Sequence, residues 1–176
     1  MILNKFWIYL LVLLVVAGLY GVVTFFFPKE NEEFPPLFQN LTADRVQEME
    51  WQRGPDMVHL KKEAHWQIIR PISEPADPKA VERILQTLIT LRPERKFAES
   101  KKDLKEFGLD SPRLKILFLN QGKWSEIRVG NKTAVGNGCY VKISNSTDLF
   151  LIAENLVKEL DRDLESLREK KVEKGP

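Results

Sequence analysis

Residues 113–130 read RLKILFLNQGKWSEIRVG. In RLKILFLN, Leu114, Ile116 and Phe118 share one side of an extended chain, while Arg113, Lys115, Leu117 and Leu119 share the other. The later half is apolar on both sides, as in a strand with neighbours on each edge. Asn120-Gln121-Gly122 supplies turn residues, and Trp124 to Val129 alternates again, so the stretch is a hairpin at the centre of an antiparallel sheet.

Upstream, 45–51, 56–62 and 65–70 are short, strand-like and separated by turn residues such as Gly54-Pro55, which predicts a meander. A helix follows over 78–91. Asp77 can cap it and Pro78 suits its first turn, while Val81, Ile84, Leu85, Leu88 and Leu91 form one apolar stripe. A short extended piece at 96–98 precedes a small helix at 101–107, which Gly108 ends. Downstream, strands are expected at 139–144 and 149–153, then one helix over about 154–170 with Leu156, Leu160, Leu164 and Leu167 on its face.

The amino-terminal part reads differently. From Phe6 to Phe27 no residue is charged, and a helix over 6–27 is roughly 33 Å long, which predicts a single transmembrane helix. A cleaved signal peptide is the rival reading, with Val15-Val16-Ala17 before Gly18 as a cleavage site, but the apolar run continues past it. Ala17 and Gly21 stand four apart, the spacing that lets a second membrane helix approach. Lys5 against Lys29 gives only a thin basic asymmetry for placing the amino-terminal tail in the cytoplasm and the domain outside.

The expected organisation is a tail at 1–5, the helix at 6–27, a Pro-containing linker at 28–43, an α+β domain at 44–170 and a tail at 171–176. Its sheet is mainly antiparallel, with two longer helices and one short one. Both halves run strand into helix, HWQIIRPISEPADPKAVERIL and then TDLFLIAENLVKELDRDLESL, but the match is too weak to use and reads as a coincidence of architecture.

The succession of Trp66, Pro71, Pro75-Ala76-Asp77, Phe107-Gly108-Leu109-Asp110-Ser111-Pro112, Val129-Gly130 and Tyr140-Val141 resembles the DUF4340 family over roughly residues 45–168. The resemblance implies a bacterial envelope protein of unassigned activity, often found beside ABC-type transport systems. It implies no catalytic residues.

The residues themselves indicate no catalytic centre, cofactor or metal. His59, Glu63 and His65 lack the spacing of a helical metal site. Gly130 to Gly138 lacks the order of a phosphate loop, with Lys132-Thr133 ahead of the later glycines. Cys139 reads as a buried thiol, and Asp161 and Asp163 as part of a solvated helix face. Lys and Arg number 27 against 25 Asp and Glu; without Lys5 that is 26 against 25, too balanced for nucleic acid. Trp51, Trp66 and Trp124 remain as core or interface aromatics. The expectation is therefore a binding or scaffold protein with a protein partner and the lipid bilayer as neighbours. The alternative is a domain that holds a lipid or small apolar ligand between sheet and helix.

Overall fold

The computed structural model describes residues 3–26, 34–98 and 104–169. It divides into two units, 1–32 and 33–176.

In the first unit, α1 runs Leu3–Phe26. Side chains are defined for Lys5 and for Trp7 to Tyr20, and all of these are exposed. Among the described residues no helix is long and apolar enough to cross a membrane. The expected transmembrane helix at 6–27 is corrected accordingly. Ala17 is exposed on α1, whereas the surroundings of Gly21 lie outside what is described, as does Phe27.

The second unit is built on nine antiparallel strands: β1 Val46–Arg53, β2 Asp56–Lys62, β3 Trp66–Arg70, β4 Glu74–Pro75, β5 Arg95–Phe97, β6 Leu114–Asn120, β7 Lys123–Lys132, β8 Gly138–Ile143 and β9 Leu149–Ala153. Their order is β4-β3-β2-β1-β6-β7-β8-β9-β5. The 113–130 hairpin thus sits at the middle of the sheet, with β6 pairing β1 and β7.

Helix α2, Pro78–Thr90, starts where Asp77 accepts a 2.9 Å hydrogen bond from the Lys79 amide. It ends ahead of Pro93. Its stripe of Val81, Ile84, Leu85 and Leu88 is buried against Met49, Trp51, Leu60, Ile68, Ile116 and Phe118, each side chain contributing on the order of 1.5–3 kcal/mol by leaving water. This fills the space between helix and sheet.

The single helix expected over 154–170 is two short ones, α3 Glu154–Leu160 and α4 Leu164–Leu167. Leucine spacing suggested continuity, but the chain breaks at 161–163. Asp161 binds Arg53, and Asp163 accepts from the Ser166 amide at 2.9 Å, capping α4. The break lets Leu167 reach the far sheet edge, where its carbonyl accepts from the Asp77 amide at 2.8 Å. Beside it, Arg168 bridges Ala76 and pairs with both oxygens of Glu74 at 2.6 and 2.9 Å. The helix expected at 101–107 lies partly outside the described residues, and 104–108 form turns. Residues 34–43, expected as linker, pack on the domain: Leu41 is buried, the Leu37 amide donates to the Leu91 carbonyl at 2.8 Å, and Phe38 meets Phe118 edge-on at 5.0 Å.

Strand registers reveal the duplication that residue identities hide. Moving the β1–β2 pair Met49↔Leu60 forward by 67 gives the β6–β7 pair Ile116↔Ile127. The same shift carries the central pair Met49↔Phe118 onto Ile116↔Trp51, so β1 and β6 exchange places about a two-fold axis. Both hairpins turn on a left-handed residue, Gly54 at φ 53° and Gln121 at φ 52°. Each half then carries a helix with two residues buried at the same three-residue spacing, Val81 and Ile84 in α2 and Val157 and Leu160 in α3. Each half also lends its last segment to the other: β5 pairs β9, and the Arg168 bridge adjoins β4.

Candidate interaction surface

The helices cover one side of the sheet, that of Met49, Trp51, Ile116 and Phe118. Alternation sends the intervening side chains to the opposite side. There the connection 104–112 covers one end. Phe107 packs on Tyr140 with ring centres 4.6 Å apart, and its carbonyl accepts from the Asn131 amide at 2.7 Å. Leu109 is fully buried beneath this connection.

The remainder of that side lies open. Cross-strand pairing sets Lys61, Glu48, Leu119 and Trp124 in one row; His59, Glu50, Leu117 and Glu126 in the next; and Met57, Gln52, Lys115 and Arg128 in the third. Met57, Leu117 and Leu119 are half-buried, and Trp124 is 43% exposed. Trp51, by contrast, is wholly inside, with its indole Nε1 donating to the Leu160 carbonyl at 2.8 Å, and Trp66 packs half-buried at the core margin. Of the three tryptophans singled out from sequence, only Trp124 presents its ring to solvent.

Several of the charges around this apolar centre are paired. Glu48 lies 3.0 Å from His59 Nε2 and 3.8 Å from Lys61 Nζ, and Glu126 pairs with Arg128. These are surface pairs worth about 0–1 kcal/mol each. They set a mixed-sign rim. His59 therefore partners a carboxylate, and the Glu63 amide donates to the His65 carbonyl in the β2–β3 turn. Among the described residues no group of three or more His, Cys, Asp or Glu could hold a metal. Cys139 is buried and accepts from Arg113 Nη2 at 3.3 Å. Thr133 closes the β7–β8 loop by hydrogen bonds to Gly138, so the glycines there serve a hairpin. Asp161 and Asp163, expected on a solvated face, fasten Arg53 and cap α4.

Elsewhere, carboxylates are held below their ordinary range: Asp148 by the Lys96 ammonium, Glu154 by Lys132 and then Lys158, and Asp163 by hydrogen bonds from Ser166. A lowered folded-state pKa gives stability that is complete above the unfolded value and is lost as pH falls through the folded one. The unfolded values stand near 3.8 for Asp and 4.5 for Glu. The thermal midpoint is therefore expected to hold between neutral pH and those values as far as these groups are concerned, then fall. Lys96→Met should flatten the acid limb, which a series of melts across pH measures.

The family model described as "Domain of unknown function (DUF4340)" matches residues 66–174, more than half the chain. The match opens at β3, so the segment 34–65, which supplies β1 and β2, lies ahead of it. No curated protein and no solved structure matches.

Proposed function

The chain belongs to the DUF4340 family, and we propose that it is a non-catalytic docking module of the bacterial envelope. Its protein partner, a component of an ABC-type transport system or a comparable complex, sits on the open side of the sheet. The observation that carries this reading is Trp124, a large ring 43% exposed beside Leu119 and Leu117 and rimmed by charges of both signs. Protein interfaces combine an aromatic anchor, an apolar centre and a polar rim in this way. The alternative, an apolar ligand between sheet and helix, meets a filled core, since Trp51, Phe118, Met49, Ile84 and Leu88 occupy that space at 1% exposure or less.

Trp124→Ala is expected to change folding stability by less than about 0.5 kcal/mol. It should weaken partner binding by about 2 kcal/mol, or roughly thirtyfold. Co-purification from the native envelope in mild detergent, paired with a melt of the same variant, checks both. Equal recovery of partners with wild type and Trp124→Ala, or a lone monomer with both, would overturn the reading.

A further inference from the structure

The segment 34–45 crosses the helix side of the sheet ahead of β1, and between it and the β6–β7 hairpin lies a cavity of about 480 Å³. Phe38, Gln39, Asn40, Asn120, Ser125 and Asn145 line it. Among its described lining residues Lys123 alone carries charge, and no carboxylate is present. Ser125 is only 8% exposed, and Asn120 Oδ1 is buried with no hydrogen-bond partner among the described residues.

The duplicated half shows what these positions look like when they serve structure alone. There Trp51 stands for Phe118, Arg53 for Asn120 and Val58 for Ser125, by the shift that relates the hairpins. The Trp51 indole is satisfied by the Leu160 carbonyl, Arg53 Nε donates to Asp161 at 2.6 Å, and Val58 is buried and apolar. One copy has its polar groups paired within the protein. The other places a buried serine and a carboxamide oxygen without a hydrogen-bond partner among the described residues at the wall of a cavity, whose polar lining can meet the hydroxyls of a ligand.

We propose that this cavity binds a short neutral saccharide. Side-chain amides both donate and accept. Here they converge from three segments, 39–40, 120–121 and 145, so they suit hydroxyls arrayed around a ring. An extended peptide offers its polar groups along one line and pairs best with a free strand edge; here β6 and β7 each have strands on both sides. The lack of a carboxylate disfavours a cationic ligand, while Lys123 can donate to a sugar oxygen at the mouth. The volume lies in the range of small-molecule sites.

The test uses the full chain in a sugar-free zwitterionic detergent, with backbone amide NMR signals followed as maltotriose or chitotriose is added. Saturable shifts at Asn40, Asn120, Ser125 and Asn145 with either sugar are expected. Ser125→Val, which copies Val58, should weaken that binding about tenfold or more by removing a hydrogen-bonding group from a site built to use it, with the melting temperature held or raised. Asn120→Leu should act likewise. No saturable shift up to about 10 mM, a range that covers even weak complexes, would overturn the proposal. So would shifts that both variants leave intact, or shifts from trialanine in place of the sugars. Trp124 and Ser125 are consecutive and face opposite sides of the sheet, so this result stands apart from partner docking.

Discussion

Trp51→Ala is expected to cost about 3–5 kcal/mol of stability, a large share of the roughly 5–15 kcal/mol that holds a domain folded. Three contributions meet at this side chain. Its ring is 1% exposed in the core between β1 and the helices. Its indole donates to the last-turn carbonyl of α3 at 2.8 Å, a carbonyl that also accepts from the Arg162 amide at 3.1 Å. It also stands beside the pseudo-two-fold axis, paired with Ile116, so a cavity there loosens both halves. Trp51→Phe separates the contributions. It keeps a ring in place and removes the indole hydrogen bond while the Leu160 carbonyl retains the Arg162 amide, so it should cost about 0.5–1.5 kcal/mol. Urea unfolding of both variants measures the difference. A Trp51→Phe variant as damaging as Trp51→Ala would show that the indole hydrogen bond, and not the packing, holds the site.

Gly130→Ala is the second large effect. A Cβ at Gly130 would lie 2.0 Å from the Phe107 carbonyl oxygen and 3.1 Å from Leu109 Cγ. The first atom is backbone and cannot rotate away, so the 104–112 connection must lift from the sheet. That exposes buried Leu109 and strains the 2.7 Å hydrogen bond from the Asn131 amide to Phe107. Overpacking of this kind costs about 1–3 kcal/mol or more, and we expect the upper end. Gly138→Ala is the control. Its Cβ would meet Leu151 Cδ1 at 2.7 Å and Cγ at 2.9 Å, side-chain atoms that can turn away together, with no backbone atom among them. Gly138→Ala should therefore lower the unfolding midpoint much less than Gly130→Ala, and hydrogen exchange at 104–112 should accelerate only in the latter.

How much could be read beforehand depended on whether neighbouring residues decided the local structure. The 113–130 hairpin was legible because alternation and Gly122 act within a few residues. Helix α2 was legible because Asp77 and Pro78 mark its start and its apolar stripe is regular. The break between α3 and α4 was not, because the leucines keep helical spacing through it. What stops the helix is distant: Arg53 holds Asp161, and the β4 edge holds Leu167. Prolines 35 and 36 disguised the packing of 34–43, since that segment bonds to Leu91 and meets Phe118 edge-on without forming a regular element. The duplication was hidden because the two halves share burial and register rather than residue type, as Trp51 with Phe118 and Gly54 with Gln121 show.

The candidate surface was legible only in part. Sequence marked Trp124 as core or interface, and alternation alone could not say which side of the sheet the helices would cover. The cavity beneath 37–41 left no local signal, because its amides come from segments far apart in the chain.

The most direct test of the docking account is site-specific photocrosslinking in cells, with benzoylphenylalanine at position 124 and, as a control, at position 87, half-buried on the flank of α2. The account predicts one discrete protein adduct from position 124, lost on Leu117→Lys while the melting temperature holds, and none from position 87. Equal adducts from the two positions, or an adduct at 124 indifferent to Leu117→Lys, would contradict it.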